Sequence, residues 1–374
     1  MIVRILENQI KEALFKGKII VLYGARQVGK TTILKKIAQE NKDQSMFLNC
    51  DELDVRQALT DKTSIELKRY LGDKKLILID EAQRIRDIGL TLKLLIDTYP
   101  EIQVIASGSS SFDLANKVNE PLTGRKTEFF LFPISLNELR ASHNEIEMDS
   151  LINHLLIRGS YPKVITSESN TLAETTINEI TGSYLYKDIL QFEGLKKPDL
   201  IEKLLQALAF QLGQEVSFTE LSRLLNTNRK TIEKYVSLLE KAFVIFRLNP
   251  LSRNLRKEIG KNKKIYFYDL GVRNSIIQNF NEVGIRNDLG ALWENFMVVE
   301  RMKKNYYGNN KPNIFFWRTY DQKEIDYIEE SGGKMSGFEF KWSDQKWKKP
   351  LGFLESYQDS TATLITKKNY TDFV

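Results

Sequence analysis

Short apolar runs alternate with helical spacing of apolar residues along the first third of the chain. The runs are four or five residues long, as expected for strands buried on both faces of a parallel sheet. The segments between them repeat apolar residues every three or four positions, which is the period of an amphipathic helix. This alternation predicts an α/β domain over residues 1–135, with strands at residues 19–23, 46–49, 76–79, 102–106 and 128–132.

Beyond Pro133 the apolar spacing is mostly helical. A Gly-Ser-Tyr-Pro turn at residues 159–162 interrupts it, and we interpret residues 136–197 as a helical lid or connector. Three further helical patterns then lead into a strand-like run, which is the order of elements in a winged helix-turn-helix. This module is predicted over residues 198–275, with helices at 199–212, 218–225 and 228–242 and a strand at 244–248.

The last segment, residues 276–374, returns to alternating polar and apolar positions. Two alternating runs flank a glycine pair at residues 332–333, so they are predicted to form a β-hairpin. The hairpin would lay Asp326 beside the strand that carries Glu339 and Lys341. Because side chains alternate between the two faces of a strand, Glu339 and Lys341 share one face. The aromatic residues of that strand share the other face.

The strongest chemical signal is a G-x-x-x-x-G-K-T run that follows the first predicted strand and opens a helical pattern. Its two glycines let the backbone curl so that N–H groups face phosphate oxygens, and Lys30 adds a cation. Thr31 is expected to hold Mg²⁺. The loop predicts binding of ATP or GTP through Gly24, Ala25, Arg26, Gln27, Val28, Gly29, Lys30, Thr31 and Thr32.

Two acidic residues follow the third predicted strand. A buried parallel strand delivers the side chains at its end to the carboxyl edge of the sheet, where ligands of α/β proteins bind. Asp80 is expected to hold Mg²⁺ through water, and Glu81 is expected to polarise the attacking water. Hydrolysis of the nucleotide is the predicted reaction.

Two further side chains are candidates for the same reaction. A serine cluster follows the fourth predicted strand, and Ser109 or Ser110 is the candidate sensor of the γ-phosphate. Arg125 is a candidate to stabilise charge on the transferring phosphoryl group, within the chain or across an interface between copies. Ordinary turn formation is the alternative for the serines, and solvation is the alternative for the arginine.

The third helix of the predicted winged module carries polar and cationic residues at its start. In the DNA-binding use of this motif, that helix enters the major groove. The predicted DNA contacts are Asn228, Arg229, Lys230 and Lys234. The alternative is that the helix packs against protein and that its basic residues are solvated.

The C-terminal hairpin supplies a second candidate site. Two carboxylates can hold a divalent metal that activates water for phosphodiester cleavage, and a neighbouring lysine can orient the nucleophile. Asp326 and Glu339 are the candidate metal ligands, and Lys341 is the candidate lysine. Glu294, in a helical pattern, is a third candidate carboxylate, with Glu300 as the substitute. The alternative is a solvated Glu–Lys pair.

Composition narrows the class of protein. The 374 residues suffice for two or three domains, and 42% hydrophobic with 28% charged residues is typical of a globular chain. The single cysteine, Cys50, excludes an internal disulfide framework, and no apolar run has the length of a membrane span or secretory signal. We therefore expect a cytoplasmic protein with no membrane partner. The net charge of +6 is compatible with nucleic-acid binding without indicating it.

Several motifs together resemble one known family. They are the P-loop at 24–32, Ile-Asp-Glu-Ala-Gln at 79–83, Gly-Ser-Ser at 108–110, Leu-Thr-Gly-Arg at 122–125, Phe-Pro-Ile-Ser at 132–135 and Gly-Ser-Tyr-Pro at 159–162. Over nearly its full length the chain resembles AAA-superfamily ATPases of bacteria and archaea that carry a C-terminal domain of unknown function. The resemblance implies a C-terminal fold similar to PD-(D/E)xK restriction endonucleases, with Asp326, Glu339 and Lys341 in the nuclease positions. Such ATPases often assemble into rings, so a homo-oligomer is an open expectation.

The sequence thus predicts an ATP-hydrolysing switch or motor that uses Mg²⁺ and couples its nucleotide state to DNA binding. The protein is also expected to cleave DNA with a bound metal if the fold brings the C-terminal carboxylates close enough to share that metal. The alternative is a nucleotide-gated regulatory ATPase whose C-terminal domain docks to a partner without cutting.

Overall fold

The computed structural model describes residues 2–108, 118, 120–190, 198–252, 262–319, 323–343 and 347–374, with the side chains of these ranges except 145, 183–190 and 198. The chain divides into two compact units. The first comprises Met1–Pro133 and Lys241–Phe243, and the second comprises Ile134–Glu240 and Val244–Val374. Within the described ranges, no helix has both the length and the apolar character needed to cross a membrane.

The first unit is built on a parallel sheet. Its strands are β1 (Ile19–Tyr23), β2 (Ser45–Asn49), β3 (Leu76–Asp80), β4 (Gln103–Gly108) and β5 (Lys126–Phe130). They lie in the order β2-β3-β4-β1-β5, and every neighbouring pair is parallel. All residues of β1, β3 and β4 are buried, as their continuous apolar runs predict. All five predicted strands are confirmed, with ends within two residues of the predicted positions.

Helices cover this sheet and complete its core. They are α1 (Ile5–Glu12), α2 (Lys30–Glu40), α3 (Leu53–Leu59), α4 (Ser64–Leu71) and α5 (Ile88–Thr98). The helix α4 begins with a capping box, in which the Thr63 side chain accepts from Glu66 N and the Glu66 side chain accepts from Thr63 N. Because β3, β4 and β1 are neighbours in the sheet, the residues at their carboxyl ends are brought together.

The second unit contains most of the helices that the structure describes. They are α6 (Leu136–Arg140), α7 (Glu145–Arg158), α8 (Pro162–Ile165), α9 (Asn170–Leu190), α10 (Pro198–Phe210), α11 (Phe218–Leu224), α12 (Arg229–Lys241), α13 (Leu270–Ile276), α14 (Leu289–Tyr307), α15 (Leu351–Ser356) and α16 (Tyr370–Phe373). The three helices predicted for the winged module correspond to α10, α11 and α12. Their ends lie within two residues of the predicted positions.

A mixed sheet runs through this unit. Its strands are β6 (Glu215–Val216), β7 (Ile245–Pro250), β8 (Lys263–Phe267), β9 (Asn313–Arg318), β10 (Glu324–Ser331), β11 (Lys334–Phe340) and β12 (Thr361–Ile365). They lie in the order β12-β11-β10-β9-β7-β8-β6. The pairs β7–β9 and β11–β12 are parallel, and the other pairs are antiparallel. The predicted hairpin is confirmed as β10 and β11, in which Ser331 pairs with Lys334 across the two glycines.

The Gly-Ser-Tyr-Pro turn is a packing junction in the second unit. Asp269 caps α13 through Val272 N and also accepts hydrogen bonds from the backbone and side chain of Ser160. A side chain at Gly159 would meet Asp269 Oδ1 at 2.1 Å, and one at Gly271 would meet Arg158 O at 2.0 Å. Glycine at both positions therefore allows two backbone segments to touch, which gives this motif a structural role.

Candidate nucleotide site and carboxylate cluster

The P-loop occupies the turn between β1 and α2. Gly24 has a φ of 155°, and a Cβ atom there would lie 2.4 Å from the carbonyl oxygen of Leu131. Gly29 has a φ of 105° and directly precedes the first residue of α2. Lys30 is buried, and its Nζ donates hydrogen bonds of 2.8 Å to the carbonyl oxygens of Gly24 and Ala25. The ammonium therefore lies inside the curl of the loop, where the motif places a phosphate.

A residue far upstream in sequence supports this loop. Arg4 precedes α1 and is only 6% exposed. Its Nη1 donates to the carbonyl oxygen of Val28 at 2.7 Å, and its Nη2 donates to that of Phe132 at 2.6 Å. The guanidinium thus ties the P-loop to the segment that follows β5. No local motif marks Arg4, so its role could not be predicted from the sequence.

Replacement of Arg4 by alanine should lower the free energy of unfolding by about 2–3 kcal/mol, because buried carbonyls lose charged hydrogen-bond donors. The change is measured by the urea midpoint of the full chain. Arg4→Lys, which keeps the charge but cannot reach both carbonyls in the same geometry, should lose less. An unchanged midpoint for Arg4→Ala would show that the loop holds its shape without this contact.

Asp80, at the end of β3, connects the P-loop with β4. Its Oδ2 accepts a hydrogen bond of 2.7 Å from Thr31 Oγ1, and its Oδ1 accepts one from Ser107 Oγ. Asp80 is 4% exposed. A hydroxyl and a carboxylate in contact form the oxygen-donor pair that P-loop proteins use for Mg²⁺, so these residues fit that ion.

Glu81 follows with an unusual backbone. Its φ of 54° is in the left-handed region, which a residue other than glycine seldom adopts. Gln83 Nε2 donates to Glu81 Oε2 at 2.5 Å and so orients the carboxylate. Such backbone strain is concentrated at functional sites, where the position of one side chain matters.

The remaining candidates for this reaction are Ser109, Ser110 and Arg125. Ser109 and Ser110 lie outside the described residues, whereas Ser107, two positions earlier, contacts Asp80. Arg125 lies at the opposite edge of the sheet from the P-loop, because its carbonyl accepts from Ile19 N at the start of β1. Its side chain pairs with Asp97 at 2.7 Å. This position does not support a role within the same nucleotide site, and action across an interface stays a prediction.

The four predicted DNA contacts all lie at the start of α12 and are exposed. Asn228 accepts from Thr231 N at 2.8 Å and so caps the helix. Arg229 pairs with Glu233 at 2.8 Å on the helix surface. The opposite face of α12 is buried and apolar, so Lys230 and Lys234 are presented outward.

A cluster of carboxylates surrounds Lys264 in the second unit. Lys264 Nζ lies 2.9 Å from Glu294 Oε1, 3.0 Å from Asp326 Oδ1 and 2.6 Å from Glu324 Oε1. Tyr266, two residues along β8, donates its hydroxyl to Glu294 Oε1 at 2.7 Å. Two of the predicted nuclease carboxylates are therefore brought together, but around an ammonium group. We call Lys264, Glu294, Glu324 and Asp326 the Lys264 cluster.

In both Glu294 and Lys264, burial and the neighbouring charges of opposite sign shift the pKa in opposite directions. Burial, reinforced by the Asp326 carboxylate, raises the pKa of Glu294 to about 8, although Lys264 opposes the rise. Burial would lower the pKa of Lys264, but the surrounding Glu294, Tyr266, Asp326 and Glu324 hold it well above its usual value. Lys264 is therefore a permanent cation at neutral pH.

Glu339 lies near the end of β11, and Lys341 directly follows this strand. Phe340, between them, donates its backbone N–H to Asp326 Oδ2 at 3.0 Å. The side chains of Glu339 and Lys341 form an ion pair of 2.8 Å. Burial, with the nearby Asp326 carboxylate, raises the pKa of Glu339 to about 7. Among the residues the structure describes, no group of three or more His, Cys, Asp or Glu side chains is arranged to hold a metal ion. The donors of the predicted nuclease site thus face lysines, while Glu339 Oε2 is buried with no hydrogen-bond partner in the described part of the structure.

Three segments of the chain match known protein families, and the first of these matches lies mostly within the first unit. Residues 16–140 match a family described as an AAA domain. The first unit is therefore similar to AAA domains. Residues 149–283 match a domain of unknown function (DUF8612), and residues 289–371 match another (DUF4143).

Several relatives match over most of the chain. An uncharacterized protein of Mycobacterium tuberculosis is 28% identical over 337 residues, covering 89% of this chain and 72% of that protein. An uncharacterized protein of Methanocaldococcus jannaschii is 23% identical over 344 residues, covering 87% and 75%. Among solved structures, the RuvB Holliday junction branch migration motor of Thermotoga maritima is 16% identical with a TM-score of 0.33, over 66% of this chain and 90% of that one. Similarity this low transfers no function.

Proposed function

We propose that this chain is an ATP-hydrolysing AAA protein whose nucleotide state controls DNA binding by its second unit. The observation that carries the proposal is the hydrogen bond from Thr31 to Asp80, with Lys30 in the adjacent loop. These residue types serve the metal and the phosphates in P-loop hydrolysis. Glu81 is assigned to position the attacking water.

Each residue has a defined task in this proposal. Thr31 and Asp80 would hold Mg²⁺, which neutralises phosphate charge when bound. Lys30 would exchange its two carbonyl partners for phosphate oxygens, so its contacts differ between the two nucleotide states. Differential contacts of this kind are what allow a nucleotide to shift a conformational equilibrium.

The first experiment measures phosphate release from ATP by the purified chain, alone and with linear, single-stranded or branched DNA. The second measures the Kd for each DNA with ADP and with a non-hydrolysable ATP analogue. We expect hydrolysis and a difference in Kd of about tenfold between the two nucleotide states. Absence of phosphate release would contradict the ATPase, and equal Kd values would contradict the coupling.

The order of elements between α10 and β8 supports a winged helix. Three helices and three strands follow one another in the order α10, β6, α11, α12, β7, β8. Both β6 and β7 pair with β8. The start of α12 adds a second argument. Arg229 and Lys230 lie in its first turn, where the helix dipole disfavours cations. A DNA phosphate would compensate this unfavourable placement.

Charge reversal at Arg229 and Lys230 should weaken DNA binding without unfolding the protein, because acidic residues are favourable in the first turn of a helix. The double change to glutamate is expected to make the slope of log K against log salt concentration shallower by about 2. Binding is measured by fluorescence anisotropy at several salt concentrations.

A matched control carries the same change in net charge elsewhere in the second unit. Lys203 and Lys311 are exposed, and Lys203→Glu with Lys311→Glu should leave the salt slope close to that of wild type. If both double variants change the slope equally, the start of α12 is not the DNA contact.

We propose that the C-terminal segment, residues 276–374, has a restriction-endonuclease-like fold but does not cleave DNA. The order α14, β9, β10, β11, α15, β12, with β12 parallel to β11, supports this fold. The Lys264 cluster argues against a metal-dependent reaction. This favours the regulatory alternative, in which the segment docks to DNA or protein while the AAA domain hydrolyses ATP.

A further inference from the structure

The Lys264 cluster has the carboxylates of a metal site but contains a different cation. We propose that Lys264 is the resident cation of this cluster, in the place that a divalent metal would hold. The cluster then binds no divalent metal while Lys264 is present. The inference goes beyond the proposed function and does not depend on ATP hydrolysis.

The ammonium group is held from several sides. Its Nζ contacts the carboxylates of Glu294, Glu324 and Asp326, and it lies 5.8 Å from the centre of the Phe316 ring. Lys264 is fully buried, and its ammonium is enclosed by carboxylates from α14 and β10. If the side chain left, buried carboxylates would lose their counter-ion, which is strongly unfavourable.

Glu294 and Asp326 also accept hydrogen bonds from other groups. Glu294 Oε1 accepts hydrogen bonds from both Lys264 and Tyr266, and Asp326 Oδ2 accepts one of 3.0 Å from Phe340 N. Mg²⁺ demands nearly octahedral oxygen ligands at about 2.0–2.1 Å. A metal shared by Glu294 and Asp326 would therefore lie directly beside the ammonium, and the two positive charges would repel each other.

Glu339, which lies outside the cluster, has a cation of its own. Its Oε1 pairs with Lys341, while its Oε2 is buried with no hydrogen-bond partner among the described residues. The ion pairs of Lys264 join β8 to α14 and β10, which are far apart in sequence. The cluster is thus an internal connection between the two halves of the sheet, and it needs no metal to form.

The test counts Mn²⁺ bound to the full-length, nucleotide-free chain by electron paramagnetic resonance. Wild type, Asp326→Asn and Glu339→Gln are expected to give the same binding curve, because these carboxylates contribute no metal site. Lys264→Met should gain one Mn²⁺ per chain, and Lys264→Met with Asp326→Asn should lose it again. Lys263→Met, the neighbouring lysine on the same strand, is the matched control and should gain none.

Two outcomes would overturn the inference. One is Mn²⁺ bound by wild type and lost in Glu339→Gln or Asp326→Asn. The other is a Lys264→Met variant that has a native circular dichroism spectrum and gains no Mn²⁺. If Lys264→Met does not fold, the comparison of wild type with Glu339→Gln decides, since equal curves uphold the inference. Neither result depends on ATPase activity, so failure here leaves the proposed ATPase and its coupling to DNA intact and removes only the argument that the C-terminal segment does not cleave.

Discussion

Lys30→Ala should reduce kcat/KM for ATP by about 10³-fold, the loss typical of removing a preorganised electrostatic group from an active site. In the structure, the ammonium of Lys30 lies within the P-loop and contacts Gly24 and Ala25. Alanine removes the cation that would face the β- and γ-phosphates, so both binding and turnover should fall. Phosphate release and binding of a fluorescent ATP analogue measure the two effects separately.

Lys35 provides the control for this substitution. It lies on the same helix, α2, and is exposed, with a distant contact to the Phe47 ring. Lys35→Ala removes the same charge from the same helix and should hydrolyse ATP at the wild-type rate. Normal turnover by Lys30→Ala would mean that the loop does not bind the nucleotide phosphates.

Glu81→Gln should leave ATP binding intact and lower kcat by about 10²–10³-fold, because an amide cannot act as the base that polarises water. The side chains have nearly the same shape, so the backbone at φ 54° and the nearby Gln83 need little adjustment. The expected product is a stable ATP-bound state. Single-turnover hydrolysis and nucleotide binding are measured on the same sample.

The neighbouring strand end offers a matched comparison. Glu52 is exposed just beyond β2, and Glu52→Gln makes the same chemical change without touching Asp80. It should hydrolyse ATP normally. Wild-type kcat in Glu81→Gln would remove Glu81 from catalysis and leave the attacking water to another group.

The first unit could be predicted closely from sequence because its signals are local. Five apolar runs gave five strands, and the P-loop motif placed Lys30 and Thr31 in one turn. The contact of Thr31 with Asp80 follows from the rule that the carboxyl ends of all strands of a parallel sheet lie along one edge, since only β4 separates β1 from β3. Arg4 could not be predicted, since its two carbonyl partners are set by the tertiary fold and not by a motif.

The contacts of the Lys264 cluster could be predicted from the sequence only in part. The hairpin was correctly predicted, so Asp326 and Glu339 were placed on neighbouring strands. The approach of Lys264 depends on strand order, which brings β8 and β10 to the same region of the sheet although 62 positions separate Lys264 from Asp326. A signal was present, because Lys264 and Tyr266 alternate with buried apolar residues along β8. Alternation alone does not identify the partners of a polar face.

The pairing of β7 with β9 has a consequence for how this chain can change over evolution. The two families of unknown function that match residues 149–283 and 289–371 meet inside one sheet, because β7 belongs to the first segment and β9 to the second. Either segment alone would expose an unpaired strand edge, which invites aggregation. Lys264 would also be separated from Glu294 and Asp326. The two segments are therefore expected to be inherited, expressed and lost together, as a single unit of selection.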